Sequence, residues 1–363
     1  MYGARLAKDL RERTGARLFG MGGPRMAEAG VELIADYHEV AVVGITEVLH
    51  RIPTVVGVQR RLAREAVCRR ASLTILIDSP GTHLGVARRL KRHGIPVGYF
   101  IGPQIWAWRA GRVRVVRRRV NRMVVIFPFE EKIYRDAGVP CDFVGHPLVD
   151  VVHPTLNRDE FAQRHGLDPE RLIVALLPGS RRSEITRHYS RVLDACELLA
   201  RDSKALGKLQ FVYVAAPGLG ADLFAPYGER PGVHLTRIEG GAYDALAAAD
   251  CAIVASGTAT IEAALLGTPM VVIYRVAPLT AAILRHMVNA PFISMVNLVA
   301  GRRVVPELIQ DDFTPEAVAA QVRDLLESSD TRDAMKAELA EVRAKLGPGG
   351  AIERAANIFA SML

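Results

Sequence analysis

Two stretches of this chain place glycine, a hydroxyl and a charged side chain at the end of an apolar run, where a nucleotide diphosphate could be gripped. In Ile173–Arg181, IVALLPGSR, the run ends in Pro178, Gly179, Ser180 and Arg181. A glycine turn at a strand end lets backbone N–H groups approach a phosphate, and the dipole of a following helix favours negative charge there. Arg181 adds a two-pronged donor for a diphosphate oxygen. A plain strand-to-helix turn with a solvated arginine reads the same way. In Cys251–Gly267, CAIVASGTATIEAALLG, a buried strand runs into Ser256, Gly257 and Thr258. Glu262 follows in the first turns of a helix, where a carboxylate can accept both hydroxyls of a ribose. It could equally serve the helix dipole alone. Asn297, in FISMVNLVAG, sits in an apolar setting where its amide must find partners, either on a donor molecule or in closing a loop.

Acid–base chemistry points to the other half of the chain. LTILIDSPGTH puts Asp78 at the C-terminal end of an apolar run, with His83 just beyond, and either could take a proton from a hydroxyl. Asp78 could also be a helix cap. His146, in FVGHPLVD, is a third candidate. No D-x-D, H-E-x-x-H or paired-cysteine motif is present, so neither a metal nor another cofactor is expected. Arg181 and helix dipoles would then carry the leaving-group charge.

Two surface stretches suggest a membrane. EVLHRIPTVVGVQRRLAR mixes Ile52, Val55 and Val56 with Arg60 and Arg61, the apolar-plus-basic edge of an interfacial contact. An amphipathic core helix interrupted at Pro53 is the alternative. Seven arginines lie between Arg109 and Arg122, next to Trp106 and Trp108, which favour a bilayer interface.

The elements that must position these groups alternate strand and helix. Strands are expected at Leu73–Ile77, Val97–Ile101, Met123–Phe127, Cys141–Gly145, Leu172–Leu177, Gln210–Ala215, Val233–Leu235, Cys251–Ala255 and Met270–Tyr274. They are apolar throughout, so helices should cover both faces of a parallel sheet. Two such series imply two doubly wound α/β domains, residues 1–155 and 156–340, with a tail helix over 341–363 that crosses back to the first. Met1–Arg13 already reads as a helix, so the strand expected first is absent and Met1 is expected to be internal to a longer chain.

Half of the 363 residues are apolar and 24% are charged, an ordinary globular composition. Residues 1–150 carry 25 of the 47 Lys and Arg but 14 of the 39 Asp and Glu, so the first half alone should meet an anionic partner. No run spans a bilayer and no leader is visible. The four cysteines are far apart and are expected as reduced core residues in a cytoplasmic protein.

The segments FGMGGPRMAEAGVELIADYHEVAVVGITEV, GPQIWAWR, FPFEEKIYRDAGVPCDFVGHPLVD, LLPGSR, SGTATIEAALLGTPMVVIYR and NLVAGRRVVPELIQDDFTPE resemble the lipid-A-disaccharide synthase family. The resemblance implies a GT-B fold of two facing Rossmann-like domains with a cleft between them. It implies an inverting transfer of diacylglucosamine from UDP to diacylglucosamine 1-phosphate, forming a β-1,6 bond. Gly179, Ser180 and Arg181 would then meet the diphosphate, and Ser256, Gly257, Thr258 and Glu262 phosphate and ribose, with Tyr274 and Asn297 nearby. The expected partners are the two acylated sugars, the anionic inner-membrane surface and a second copy of the chain, but not nucleic acid. The family's D-x-P-D-F-N reads here as Asp78-Ser79-Pro80-Gly81-Thr82-His83, without the second carboxylate. Alternatives are a non-catalytic UDP-sugar-binding relative, another GT-B enzyme or a UDP-sugar epimerase.

Overall fold

The computed structural model describes residues 2–40, 45–103, 113–201, 209–287 and 290–363. They form two units, one of residues 1–147 with 346–363 and the other of residues 148–345. The first break lies at Pro147/Leu148, ahead of the expected one, because the strand-to-helix alternation of the first unit already stops after β6 (below).

The first unit runs α1 (Tyr2–Thr14), β1 (Leu18–Gly22), α2 (Pro24–Glu28), β2 (Val31–Asp36), α3 (Ile45–Cys68), β3 (Thr74–Ile77), α4 (Pro80–Lys91), β4 (Val97–Phe100), α5 (Val113–Arg119), β5 (Arg122–Val125), α6 (Pro128–Asp136) and β6 (Cys141–Phe143). Strands β3, β4, β5 and β6 make a parallel sheet in that order, and β1 and β2 form a separate parallel pair. Its core includes Leu90, Val97, Tyr99, Met123 and Tyr134, all fully buried. The sequence reading missed β1 and β2, because glycines break the apolar run of LFGMG and charges break that of VELIAD. The alternative reading of EVLHRIPTVVGVQRRLAR, a helix interrupted at Pro53, differs from the structure in one respect: α3 continues through Pro53.

The second unit contains α7 (Arg158–His165), β7 (Ile173–Leu177), α8 (Arg182–Arg201), β8 (Gln210–Ala215), β9 (Leu235–Glu239), α9 (Ala242–Ala248), β10 (Cys251–Ala255), α10 (Thr258–Leu266), β11 (Met270–Tyr274), α11 (Pro278–Met287), α12 (Met295–Ala300), β12 (Glu307–Ile309), α13 (Pro315–Glu327) and α14 (Ser329–Lys345). Every strand is parallel to its neighbours, in the order β9-β8-β7-β10-β11-β12. All residues of β7, β8 and β10 are buried, as continuous apolar strands covered on both faces must be. Where a strand was expected at Val233–Leu235, β9 starts at Leu235, and the three-residue β12 was too short to stand out.

The last helix, α15 (Ala351–Ala360), belongs to the first unit. Phe359 meets Phe100 of β4 edge-on at 6.5 Å, and Arg13 of α1 donates to Asn357 at 2.8 Å and Glu353 at 3.0 Å. Cys141, Cys196 and Cys251 are buried as expected. Cys68 is not: it is exposed at the end of α3.

Candidate active site

The second unit's sheet reads 3-2-1-4-5-6 in order of appearance, so the chain reverses direction across the sheet between β7 and β10. Ligands of open parallel sheets bind outside the carboxyl ends of the strands at such a reversal. Both glycine turns lie there, Gly179–Arg181 beyond β7 and Ser256–Thr258 beyond β10. Tyr274 ends β11, the next strand along.

The first turn already holds a carboxylate. Glu184, on the first turn of α8, accepts the N–H of Ser180 at 2.9 Å and of Arg181 at 3.2 Å through Oε2. Its Oε1 accepts Nη1 of Arg181 at 2.9 Å. Gly179 sits at φ 145°, and a Cβ there would lie 2.5 Å from the Cβ of Glu184. Two converging N–H groups and a guanidinium thus form a nest that takes an oxyanion, with Glu184 as its internal occupant. One helical turn on, His188 is fully buried. Its Nδ1 donates to the carbonyl of Pro178 at 2.6 Å and its Nε2 accepts the N–H of Arg275 at 2.9 Å, tying the turn to the end of β11. Burial lowers the His188 pKa, so the ring is neutral and has one N–H to give. Tyr274 lies against this ring at a tilt, centroids 5.6 Å apart, and burial raises its phenol pKa. The sequence reading missed Glu184 and His188. Their four-residue spacing on one helix face, with His188 inside an apolar stripe, was the available signal.

At the second turn, Gly257 sits at φ 154° before α10, a conformation that strains any residue with a Cβ. Ser256 donates to the carbonyl of Ile293 at 3.0 Å, and Thr258 starts the helix, exposed. Glu262 is half-buried. Burial raises its pKa, while a bond from the Tyr243 hydroxyl, 3.4 Å from Oε1, opposes the rise. Tyr243, on α9, is another residue the sequence did not single out. Of the two roles open to Asn297, the structure displays loop closure. Its Nδ2 donates to the Val305 carbonyl and Glu307 Oε1, and its Oδ1 accepts the N–H groups of Val304 and Val305. All four hydrogen-bonding positions are filled and the residue is wholly buried, so none is left for a donor molecule.

In the first unit, β3 ends in two consecutive left-handed residues, Asp78 at φ 51° and Ser79 at φ 47°. Neither is glycine, and such strain costs about 1–3 kcal/mol per residue, so surrounding contacts must hold the turn in place. The bend presents the Asp78 carbonyl to the Tyr99 hydroxyl at 2.7 Å and to His83 Nδ1 at 2.7 Å. The Asp78 side chain is exposed and His83 half-buried, and burial lowers the His83 pKa. His146 is buried against Phe127, with ring centroids 5.1 Å apart.

Along α3, Ile52 is 49% exposed, Val55 and Val56 are half-buried and Arg60 is exposed. Arg61 is turned away to Glu39, at 2.7 and 2.8 Å. Trp106, Trp108 and Arg109 lie outside the described residues. No described helix is long and apolar enough to cross a membrane.

Two parallel-sheet units, one with glycine turns at its strand-order reversal, define the GT-B class. The structure resembles the glycotransferase of kitacinnamycin (TM-score 0.61, 17% identity, 100% of this chain and 97% of that one). It also resembles UDP-GlcNAc 2-epimerase from Neisseria meningitidis bound to UDP-GlcNAc (TM-score 0.58, 13% identity, 93% and 88%). Enzymes of both kinds share the fold, so the fold does not choose between them. Sequence does. The profile of the lipid-A-disaccharide synthetase family matches residues 1–359. A lipid-A-disaccharide synthase of Solibacter usitatus is 46% identical over 366 residues, covering 100% of this chain and 94% of that one. The chain belongs to the lipid-A-disaccharide synthetase family of glycosyltransferases, and the epimerase and non-catalytic alternatives are not favoured.

Proposed function

We propose that the chain transfers diacylglucosamine from UDP to diacylglucosamine 1-phosphate with inversion, forming the β-1,6 disaccharide of lipid A, at the inner face of the inner membrane. The single observation that best supports this reading is the oxyanion nest at Gly179–Arg181, beside the strand-order reversal of a sheet in a chain of this family. The donor's diphosphate displaces the Glu184 carboxylate from the Ser180 and Arg181 N–H groups. Arg181 then stabilises charge as the bond from sugar carbon to phosphate oxygen breaks. Ser256, Gly257 and Thr258 flank the second phosphate at the N-terminus of α10, where the first N–H groups of a helix have no partner within it. Glu262, held by Tyr243, takes the ribose hydroxyls. Asp78 or His83 receives the acceptor's proton.

No metal is needed in this scheme, because the guanidinium and two helix N-termini supply positive charge. Ile52, Val55, Val56 and Arg60 meet the anionic bilayer that carries both acylated substrates; the expected contacts of Trp106, Trp108 and Arg109 lie outside the described residues. The test is incubation with both substrates in detergent micelles containing EDTA, following UDP and disaccharide. Light scattering on the same sample shows whether a homodimer is the working form. Disaccharide formation in EDTA is expected. UDP binding without product would overturn the transfer reading, and product only after adding a divalent cation would overturn the metal-free scheme.

A further inference from the structure

We infer that the Nε2 atom of His83 is the proton acceptor for the attacking hydroxyl, oriented by the main-chain carbonyl of Asp78 and the hydroxyl of Tyr99; this rests on the transfer reaction proposed above. The strained pair Asp78–Ser79 turns one carbonyl oxygen toward two side chains from different elements, Tyr99 of β4 and His83 of α4. A carbonyl only accepts, so both partners must donate. The Tyr99 phenol is fully buried, and burial holds its pKa far above the physiological range, so it carries its proton. His83 must therefore be protonated at Nδ1, and in the neutral ring the lone pair lies on Nε2. Hydrogen bonding to an oriented carbonyl thus settles the tautomer.

Two further features keep that ring neutral, with the Nε2 lone pair available. His83 is half-buried, and burial disfavours the imidazolium. It also lies in the first turn of α4, whose N-terminal dipole repels positive charge. Among the described residues, Asp78 is the charged group that acts on it. The Asp78 carboxylate favours the cation, and Tyr99 is neutral. Of the guanidiniums that reach the start of α4, Arg89 donates to Gln59 and the Gly85 carbonyl, and Arg119 of α5 to the Leu84 carbonyl. Gly81 leaves the turn with a single carboxylate, that of Asp78, and that side chain is exposed to water. His83 offers instead a ring nitrogen whose lone pair the hydrogen bond to the Asp78 carbonyl leaves free. In the transfer, the acceptor O–H bond breaks as its oxygen bonds to the sugar carbon. The proton passes to Nε2, and the bond to the phosphate oxygen leaves its electron pair on UDP.

The experiment compares the pH dependence of kcat for the unaltered chain with His83→Gln, His83→Asn, Asp78→Asn and Tyr99→Phe, alongside UDP affinity for each. Both His83 variants should lose about 10²–10⁴-fold in kcat with UDP affinity unchanged, and lose the acidic limb of the profile. Asp78→Asn keeps its main-chain carbonyl and should retain the acidic limb of the profile. Tyr99→Phe should lower kcat about tenfold and displace the acidic limb while leaving the donor KM alone, which a merely structural role would not do. Full activity in a His83 variant, or loss of the acidic limb in Asp78→Asn instead, overturns the assignment. If the unaltered chain binds UDP but makes no disaccharide, the transfer reading itself has failed and the assignment falls with it. Unchanged UDP affinity and far-ultraviolet dichroism separate lost chemistry from lost folding.

Discussion

The Glu184 carboxylate occupies the two N–H groups and the guanidinium that the proposed diphosphate would need, so binding there requires its displacement. Removing the carboxylate frees the nest and relieves like-charge repulsion. Glu184→Ala should therefore tighten UDP binding by roughly tenfold, a gain of about 1.4 kcal/mol, measured by titration calorimetry. Weaker binding would show instead that Glu184 holds the turn in shape for the ligand. His146 gives a second prediction at this scale. It is 4% exposed, and burial lowers its pKa from 6.5 to about 4. A histidine kept neutral in the folded state contributes stability above its unfolded pKa and loses it as pH falls. Between about pH 6.5 and 4 the loss should reach roughly 3 kcal/mol at 1.36 kcal/mol per unit. Urea unfolding across that range should show the slope, and His146→Gln should flatten it.

The two glycine turns look alike in sequence but differ as elements. Gly257 needs its backbone conformation, since a Cβ there would have nothing within 4 Å. Gly179 needs both conformation and space, because Glu184 stands 2.5 Å from where that Cβ would be. Gly257→Ala should then cost about 1–2 kcal/mol of strain. Gly179→Ala should cost about 1–3 kcal/mol more, with the Glu184 contacts to Ser180 and Arg181 broken. Chemical denaturation of the two variants tests the ordering, and equal costs would mean that α8 gives way easily. Asn297 and Glu307 act at the same scale. Glu307 accepts the N–H groups of Ile293 and Ser294 as well as Asn297 Nδ2, so one carboxylate and one amide pin the segments on either side of α12.

For the molecule as a whole, the uneven charge predicts where it meets a surface. Arg60 and the exposed Ile52 lie on α3 of the basic half. Binding to phosphatidylglycerol vesicles should weaken as salt rises from 50 to 500 mM, an order-of-magnitude range chosen to shorten the Debye length severalfold. Ile52→Glu with Arg60→Glu should reduce it about tenfold or more at low salt, at about 1 kcal/mol per basic residue near the surface plus the lost apolar contact. Co-sedimentation unaffected by salt and by both changes would place the membrane face elsewhere.

The sequence by itself determined the two α/β series, the family and both glycine turns, because continuous apolar strands and glycine at strand ends are local patterns set by periodicity and backbone sterics. Strands Gln210–Ala215, Cys251–Ala255 and Met270–Tyr274 were legible to the residue for that reason. Strands β1, β2 and β12 were not, since short, charged or glycine-rich runs become strands only when a neighbour supplies their hydrogen bonds. The same limit applies at the site. Which N–H groups the Glu184 carboxylate accepts, which nitrogen of His83 carries the proton, and that Asn297 spends its amide on Val304, Val305 and Glu307 all depend on how the turns between near neighbours fold, which no periodic pattern encodes. Only the tertiary structure brings those donors and acceptors within 3 Å or so of each other, and hydrogen bonding at that range decides their roles.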